Sequence, residues 1–409
     1  MALLEKKMLI EAENAFKNFK YLLIKKIGEI YGELKGKDLV IWGTGRYGKT
    51  VAKYLVEAFG DEINIKAFCC SSGYEVKEKL INGLIVYPVD KAYVLFPNAT
   101  FVIVSDFRNE ILLQAKKDFN AMKTFSVDPS SSNYEKQLVY IDYDENDDDT
   151  IGFKFSWIYL FNYLKKSNIL PEKLSECLDS LSDEKSKTIV INTVKLALTG
   201  DINFLEEIPV DGTEYFSSQY YEIYDDEVYA DCGSYNGDSI LNFIKYKNGR
   251  YKKIIAFEPD LLNFDELNKT VKTNNINRIE LVNCALTDKS DKKVSFSSRH
   301  NMGAKILDYP ENNTNSGQSV STYTLDDFYN EGISFIKMDI EGYELRALKG
   351  ARKTIVDFKP KLAICLYHKA LDIFEITSYI KQLVPEYQVI IRHHYYGFYE
   401  TVMYAWIPK

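Results

Sequence analysis

Two stretches far apart in this chain follow one pattern. "VIWGTGRYGKTVAKYL" (Val40 to Leu55) and "VYADCGSYNGDSI" (Val228 to Ile240) each run from an apolar strand, through glycines, into a helix. Such a turn forms where a parallel strand passes into its crossover helix, and in open α/β sheets ligands bind at the carboxyl ends of those strands. Two such turns so widely separated call for two sheets rather than one. A chain of 409 residues has room for them, because single cores stop growing beyond ~250–300 residues.

The surrounding pattern agrees. After the first turn, Asp38 to Trp42 reads as a buried strand and Lys49 to Phe59 as a helix. "INIKAFCC", "NGLIVYP" and "ATFVIVSD" follow as strands, then a helix from Asn109 to Phe119 and a short strand around Thr124 to Val127. Strands alternating with helices imply a parallel sheet, here a small Rossmann-like domain over 37–128. Ahead of it, residues 1–36 form an amphipathic helix with Leu4, Met8, Phe16, Phe19, Leu23, Ile27 and Ile30 near one face, which suits packing or a homodimer. Residues 129–215 are expected to form a connector. It opens with the acidic linker "DYDENDDDT", too irregular for a calcium loop. It continues as helices from Ile151 to Gly200, with Ser182 or Asp183 as a cap and Gly200 as the stop. Alternation resumes near Tyr220. The chain ends in two β-like runs around "YYGF", the outline of an antiparallel hairpin. The last domain is placed at 216–409.

Composition removes several functions. The net charge of -8 argues against nucleic-acid binding, which needs clustered Lys and Arg. No apolar run is long enough to span a bilayer, and charges interrupt the N-terminus where a signal peptide would be apolar. The six cysteines form no C-x-x-C pair, which suggests reduced thiols in the cytoplasm. With four histidines and no ligand spacing to a cysteine, zinc is not expected.

At the downstream turn, Asp231 ends the first strand and Gly233 and Gly237 bring backbone near a ligand. Tyr235 and Asp238 belong to the same turn. Glu258, followed by Pro259, ends the neighbouring strand "KKIIAFE", where a carboxylate can accept both hydroxyls of a ribose. The spacing D-C-G-S-Y-N-G is not G-x-G-x-x-G, so a pyrophosphate cradle is missing. S-adenosylmethionine (SAM) has a ribose but no pyrophosphate, and its amino-acid end is one that Asp231 could approach.

Here the sequence resembles the FkbM-type SAM-dependent methyltransferases. The matching strings are "EVYADCGSYNGDS", "AFEPD", "VNCALTD", "MGA", "TLDDF" and "FIKMDIEGYELRALKGA" (Phe335 to Ala351), and they cover the chain from Tyr220 onward. The resemblance implies the class I methyltransferase fold, an α/β sheet of seven strands with the last one antiparallel. It implies SAM as donor, with Asp231, Gly233 and Gly237 facing the methionine part, Glu258 holding the ribose, and Cys284 and Ala285 flanking adenine. It places Asp339 at the mouth of the methyl-transfer site.

Methyl transfer to an alcohol also requires loss of a proton. His368 follows the buried strand "LAICLY" and is the candidate base; Asp339 and Glu341 end "ISFIKM". With His368 these acids could hold a divalent cation, or they could cap the next helix; no metal is assigned. His393 and His394 near the hairpin are either acceptor contacts or a surface turn, and His300 is a candidate for a lid.

Upstream, Gly43, Gly45 and Gly48 satisfy G-x-G-x-x-G, but Cys70 or Ser71 stands where an acid should meet the ribose. With "NGLIVYPVDKA", this domain resembles the Rossmann-like N-terminal domains of sugar-modifying acyltransferases. A structural or acceptor-holding role is expected. The expected function is therefore methylation of a hydroxyl or amine of a small-molecule or glycan-linked acceptor. An NAD(P)-dependent oxidoreductase and a non-catalytic assembly subunit are the alternatives.

Overall fold

The structure is a computed structural model that describes residues 2–71, 79–104, 108–119, 121–127, 170–212, 214–290, 292–297, 305–307, 318–394 and 400–408. It divides into two compact units, residues 1–158 with 195–206, and residues 159–194 with 207–409. The acidic linker, the aromatic run after it, "MGA", His300 and the hairpin tip lie outside the described residues.

The first unit holds a six-stranded sheet. Its strands are β1 (Asp38–Trp42), β2 (Asn64–Cys70), β3 (Leu80–Ile81), β4 (Leu84–Pro88), β5 (Thr100–Ile103) and β6 (Lys123–Phe125), in the order β3-β4-β2-β1-β5-β6. β1 pairs in parallel with β2 and β5, and everything in it after Asp38 is buried. That two-sided burial explains its unbroken apolar sequence. The helix Ala2–Ile30 packs against the helix Arg46–Phe59, close enough at Gly28 that an added Cβ would lie 3.6 Å from Ala58 Cβ. Phe16, Phe19, Leu23 and Ile27 are buried there. The apolar face is thus used within the unit itself.

The second unit is built on a seven-stranded sheet. Its strands are β7 (Val228–Cys232), β8 (Lys253–Phe257), β9 (Ile279–Val282), β14 (Phe335–Met338), β15 (Lys361–Cys365), β16 (Gln388–His393) and β17 (Thr401–Trp406), in the order β16-β17-β15-β14-β7-β8-β9. β17 runs antiparallel between β15 and β16, and the other neighbours pair in parallel. This is the expected class I sheet with its closing hairpin. Between β9 and β14 lies a second, small sheet. β10 (Ala285–Leu286), β11 (Lys293–Ser297), β12 (Lys305–Leu307) and β13 (Gln318–Tyr323) order as β10-β13-β11-β12. Short strands with few apolar residues leave little periodic signal.

The connector helices protect the sheet. β16 is an edge strand, and an open edge invites pairing with another chain. Ser182 Oγ accepts the Val389 N–H at 3.0 Å, and Ser186 Oγ accepts the Ile391 N–H at 2.8 Å. Asp183 caps the helix Glu184–Thr199 by accepting the Ser186 N–H at 2.8 Å, and it pairs with Arg392 on β16. Those partners outweigh partial burial and hold the Asp183 carboxyl down at about 2.

Candidate functional site

Four strand ends meet at one level of the seven-stranded sheet. Cys232 sits opposite both Phe257 and Met338, and Met338 opposite Ile364. The next residues of β7, β8, β14 and β15 therefore emerge side by side, which brings Gly233, Glu258, Asp339 and the segment leading to His368 together.

Glu258 is 5% exposed. Its Oε2 accepts the Tyr235 N–H and its Oε1 the Asp260 N–H, both at 2.9 Å. Burial pushes its carboxyl up to about 7, against the pull of those N–H donors. Each oxygen has a further lone pair, so the group fits two hydroxyl donors such as those of a ribose. Tyr235 (φ 47°) and Gly237 (φ 91°) bend the turn toward Glu258, and Gly237 caps the helix Asp238–Tyr246. Asp238 is exposed and accepts the Ser239 N–H at 2.7 Å. Pro259 is half-buried beside Glu258. Asn283, which the sequence did not single out, donates to Glu258 O at 2.8 Å and Pro259 O at 3.1 Å and fixes this corner.

The structure gives several residues of the turn partners within the protein. Asp231, expected to face the methionine part, has no exposed surface. Its Oδ2 accepts from Ser239 Oγ at 2.6 Å and its Oδ1 lies 3.3 Å from Lys337 Nζ. Its charge is spent inside the protein, where it sets the turn from beneath. Gly233, expected to admit a ligand, has φ 82° and makes room for the chain: a Cβ there would fall 1.8 Å from Asp339 O. Cys284 and Ala285, expected beside adenine, are both buried, and burial pushes the Cys284 thiol up to about 12.

Around Asp339 the structure gathers more polar groups than the sequence indicated. Tyr215 Oη and Tyr367 Oη each donate to Asp339 Oδ2 at 3.4 Å. His368 Nε2 lies 3.4 Å from Asp339 Oδ1 and 3.7 Å from Glu341 Oε2, and its Nδ1 forms a 2.9 Å ion pair with Glu344 Oε1. Glu344 Oε1 also accepts the N–H groups of Ile340 and Gly342. Burial alone would depress the His368 imidazole, but Glu344 first, then Asp339 and Glu341, carry it up to about 10. With no cation beside it, those acids favour the protonated ring, which sets His368 apart from a free base. Burial and the Glu214 charge push the nearby Glu400 carboxyl up as well. Among the described residues, Asp339, Glu341 and His368 are also the group whose ligand atoms, all within 4.8 Å of one another, could hold a metal ion.

Among the described residues, the other two histidines are held by their neighbours. His393 Nδ1 lies 2.8 Å from Thr401 Oγ1 across the hairpin. His394 Nε2 pairs with Tyr404 Oη at 2.7 Å and its Nδ1 with Asp211 O at 2.9 Å. His393 is buried and His394 half-buried, so neither lies on an exposed turn. In the first unit, a Cβ on Gly43 would meet Val104 O at 2.1 Å, and one on Gly48 would meet Gly43 O at 2.0 Å. Those two glycines serve packing. Ser71 Oγ, at the end of β2, accepts from Trp42 Nε1 at 3.2 Å, and no acid stands there among the described residues.

Residues 231–396 match the model of the methyltransferase FkbM domain. A methyltransferase FkbM from Methylobacillus flagellatus KT has a similar structure at 22% identity, with a TM-score of 0.53, over 98% of this chain and 100% of that one. An rRNA methylase from Streptococcus thermophilus aligns at 16% identity and a TM-score of 0.30, over 45% of this chain and 89% of that one. A structure from Streptococcus mutans in complex with SAH aligns at 12% identity and a TM-score of 0.29, over 46% and 93%. No curated protein matches the sequence. The chain carries an FkbM-type methyltransferase domain in its second unit, and SAM is the methyl donor of that domain.

Proposed function

We propose that this FkbM-type methyltransferase transfers a methyl group to a hydroxyl, or an amine, of a small molecule, a sugar or amino-acid-like group in glycan modification. The observation that carries the site assignment is the level placement of Glu258 and Asp339 at the ends of β8 and β14, on either side of β7. SAM supplies a methyl carbon already activated by its sulfonium. Glu258 would hold the ribose hydroxyls, beside the Tyr235–Gly237 turn. Asp339, braced by Tyr215 at Oδ2 and by Tyr367 across both oxygens, would be the carboxylate that receives the acceptor's proton. His368 orients that carboxylate through charge. Alignment of acceptor and donor can lower such a barrier by up to ~7–11 kcal/mol.

The acceptor class is supported by the polar groups gathered around Asp339, namely Glu341, His368 and the hydroxyls of Tyr215 and Tyr367. The first unit, whose turn lacks the acid of a dinucleotide site among the described residues, has a structural or acceptor-holding role in this reading. A cytoplasmic setting is supported by six free, buried cysteines. No helix among the described residues is long and apolar enough to cross a membrane.

The test is incubation of the protein with isotope-labelled SAM and a cell extract, followed by mass spectrometry. Label on a hydroxyl or amine of a sugar-like compound is expected. Label confined to RNA, or appearing only on protein, would overturn the acceptor assignment.

A further inference from the structure

We propose that Asp339 Oδ1, Glu341 Oε2 and His368 Nε2 form a binding site for one divalent cation of the Mg2+/Mn2+ class. Its place at the mouth of the crevice lets it hold the acceptor's oxygen.

The argument starts from distances. His368 Nε2 lies 3.4 Å and 3.7 Å from the two carboxylate oxygens. Charge-assisted hydrogen bonds close to ~2.7–2.9 Å, so neither contact is one. Ligands bound at ~2.1 Å to a common metal lie ~3.0–3.4 Å apart along an edge of the coordination polyhedron, which these separations approach to within a few tenths of an ångström. The imidazole side chain is 7% exposed, and it points Nε2 between two carboxylates without hydrogen-bonding either.

The other side of the ring supplies an independent observation. A ligating histidine usually sends its second ring nitrogen to a carboxylate, which fixes the ring. His368 Nδ1 lies 2.9 Å from Glu344 Oε1, and Glu344 is fully buried and held by two backbone N–H groups. Asp339 is oriented in the same way: Tyr215 donates to Oδ2, Tyr367 reaches Oδ2 at 3.4 Å and Oδ1 at 3.5 Å, and Oδ1 also faces His368 Nε2. The donor set, two carboxylates and one imidazole, suits Mn2+ and Mg2+ better than a thiophilic ion, and the bound cation would take the place of the proton that the acids otherwise hold on Nε2. Three protein ligands leave about three positions of an octahedron for solvent or an acceptor oxygen. A hydroxyl bound there would be fixed in place and made more acidic. That consequence rests on the methyl-transfer reading; cation binding itself does not.

The experiment is Mn2+ titration of the full chain followed by electron paramagnetic resonance, with calorimetry of S-adenosylhomocysteine (SAH) binding on the same samples. One Mn2+ per chain is expected, with 14N coupling from an imidazole that disappears in His368→Gln. The Asp339→Asn/Glu341→Gln double variant should weaken Mn2+ at least ~tenfold, as loss of ligands does at designed and natural sites, while still binding SAH. Glu258→Ala should do the reverse. Absence of binding at millimolar Mn2+, absence of 14N coupling in the unaltered chain, or equal Mn2+ affinity in the double variant would overturn the site. Loss of SAH binding in the unaltered chain would instead fault the donor assignment. The spectrum of the unaltered protein decides the question even where a variant fails to fold.

Discussion

Lys337 Nζ lies 3.3 Å from Asp231 Oδ1 and 2.8 Å from Gly233 O, with both side chains buried. One ammonium thus ties the strand that ends in the glycine turn to the strand that ends in Asp339. Burial disfavours the charged lysine, but Asp231 and Asp339 more than reverse that and hold its affinity for the proton above the ordinary value. Removing one partner of such a pair leaves the other charge stranded, at a cost of ~3–5 kcal/mol. Lys337→Met should lower the stability of the second unit by about that amount. The Lys337→Met/Asp231→Leu pair should recover part of the loss. Scanning calorimetry, following the transition that SAH raises, checks this; equal stability of Lys337→Met and the unaltered chain would rule it out.

Glu258→Ala removes both acceptor oxygens offered to the ribose. SAM affinity should fall at least ~tenfold, the order expected for a charged hydrogen-bonding partner at ~1.5–3 kcal/mol. Isothermal calorimetry gives the answer directly. An unchanged dissociation constant would mean that the ligand lies elsewhere.

The raised Glu258 carboxyl gives a pH signature. Its folded value of about 7 exceeds the ordinary one. Its contribution to stability is therefore fully present below the unfolded value, near ~4.3, and is lost as pH rises through about 7. Hydroxyl donors favour the ionised form, so SAM should bind more tightly as pH rises from 6 to 8 and release protons on binding. Titrations in buffers of different ionisation heat would detect that release. Glu258→Gln should flatten the slope, and a slope unchanged in this variant would assign it to another group.

The upstream turn separates packing from ligand contact. A Cβ on Gly45 meets nothing within 4 Å, whereas Gly48→Ala drives one into Gly43 O. Gly45→Ala should leave stability and methyl transfer unchanged, and Gly48→Ala should lower the melting temperature of the first unit. Loss of turnover in Gly45→Ala with intact folding would revive a nucleotide site there.

Much of the fold was legible because buried parallel strands are written as apolar runs. Val228 to Cys232 and Phe335 to Met338 are buried at every position, and both stood out. The short strands β11 to β13 did not, since they have no such run. In the site, Glu258 was found because one rule names its position: the acid that ends the second strand. Tyr215, Tyr367 and Glu344 carried no signal, because they reach Asp339 and His368 from segments distant in the chain or lie inside a motif read as a helix start. Asp231 was singled out for a ligand, and the structure sets it against Lys337 and Ser239. Sequence shows an acid at a strand end but not that a lysine on the neighbouring strand neutralises it.

The amino-acid order by itself determined the two α/β sheets, the closing hairpin and the place of the acid that ends β8, since each follows from local periodicity or from a fixed place along a strand. Tertiary structure alone decided which charges face one another. It turned Asp231 inward onto Lys337, set two tyrosines on Asp339, and aimed His368 between two carboxylates with Glu344 behind it. Those pairings depend on strand order and register, which place remote residues within a few ångströms, and electrostatic interactions are set by that distance and by burial.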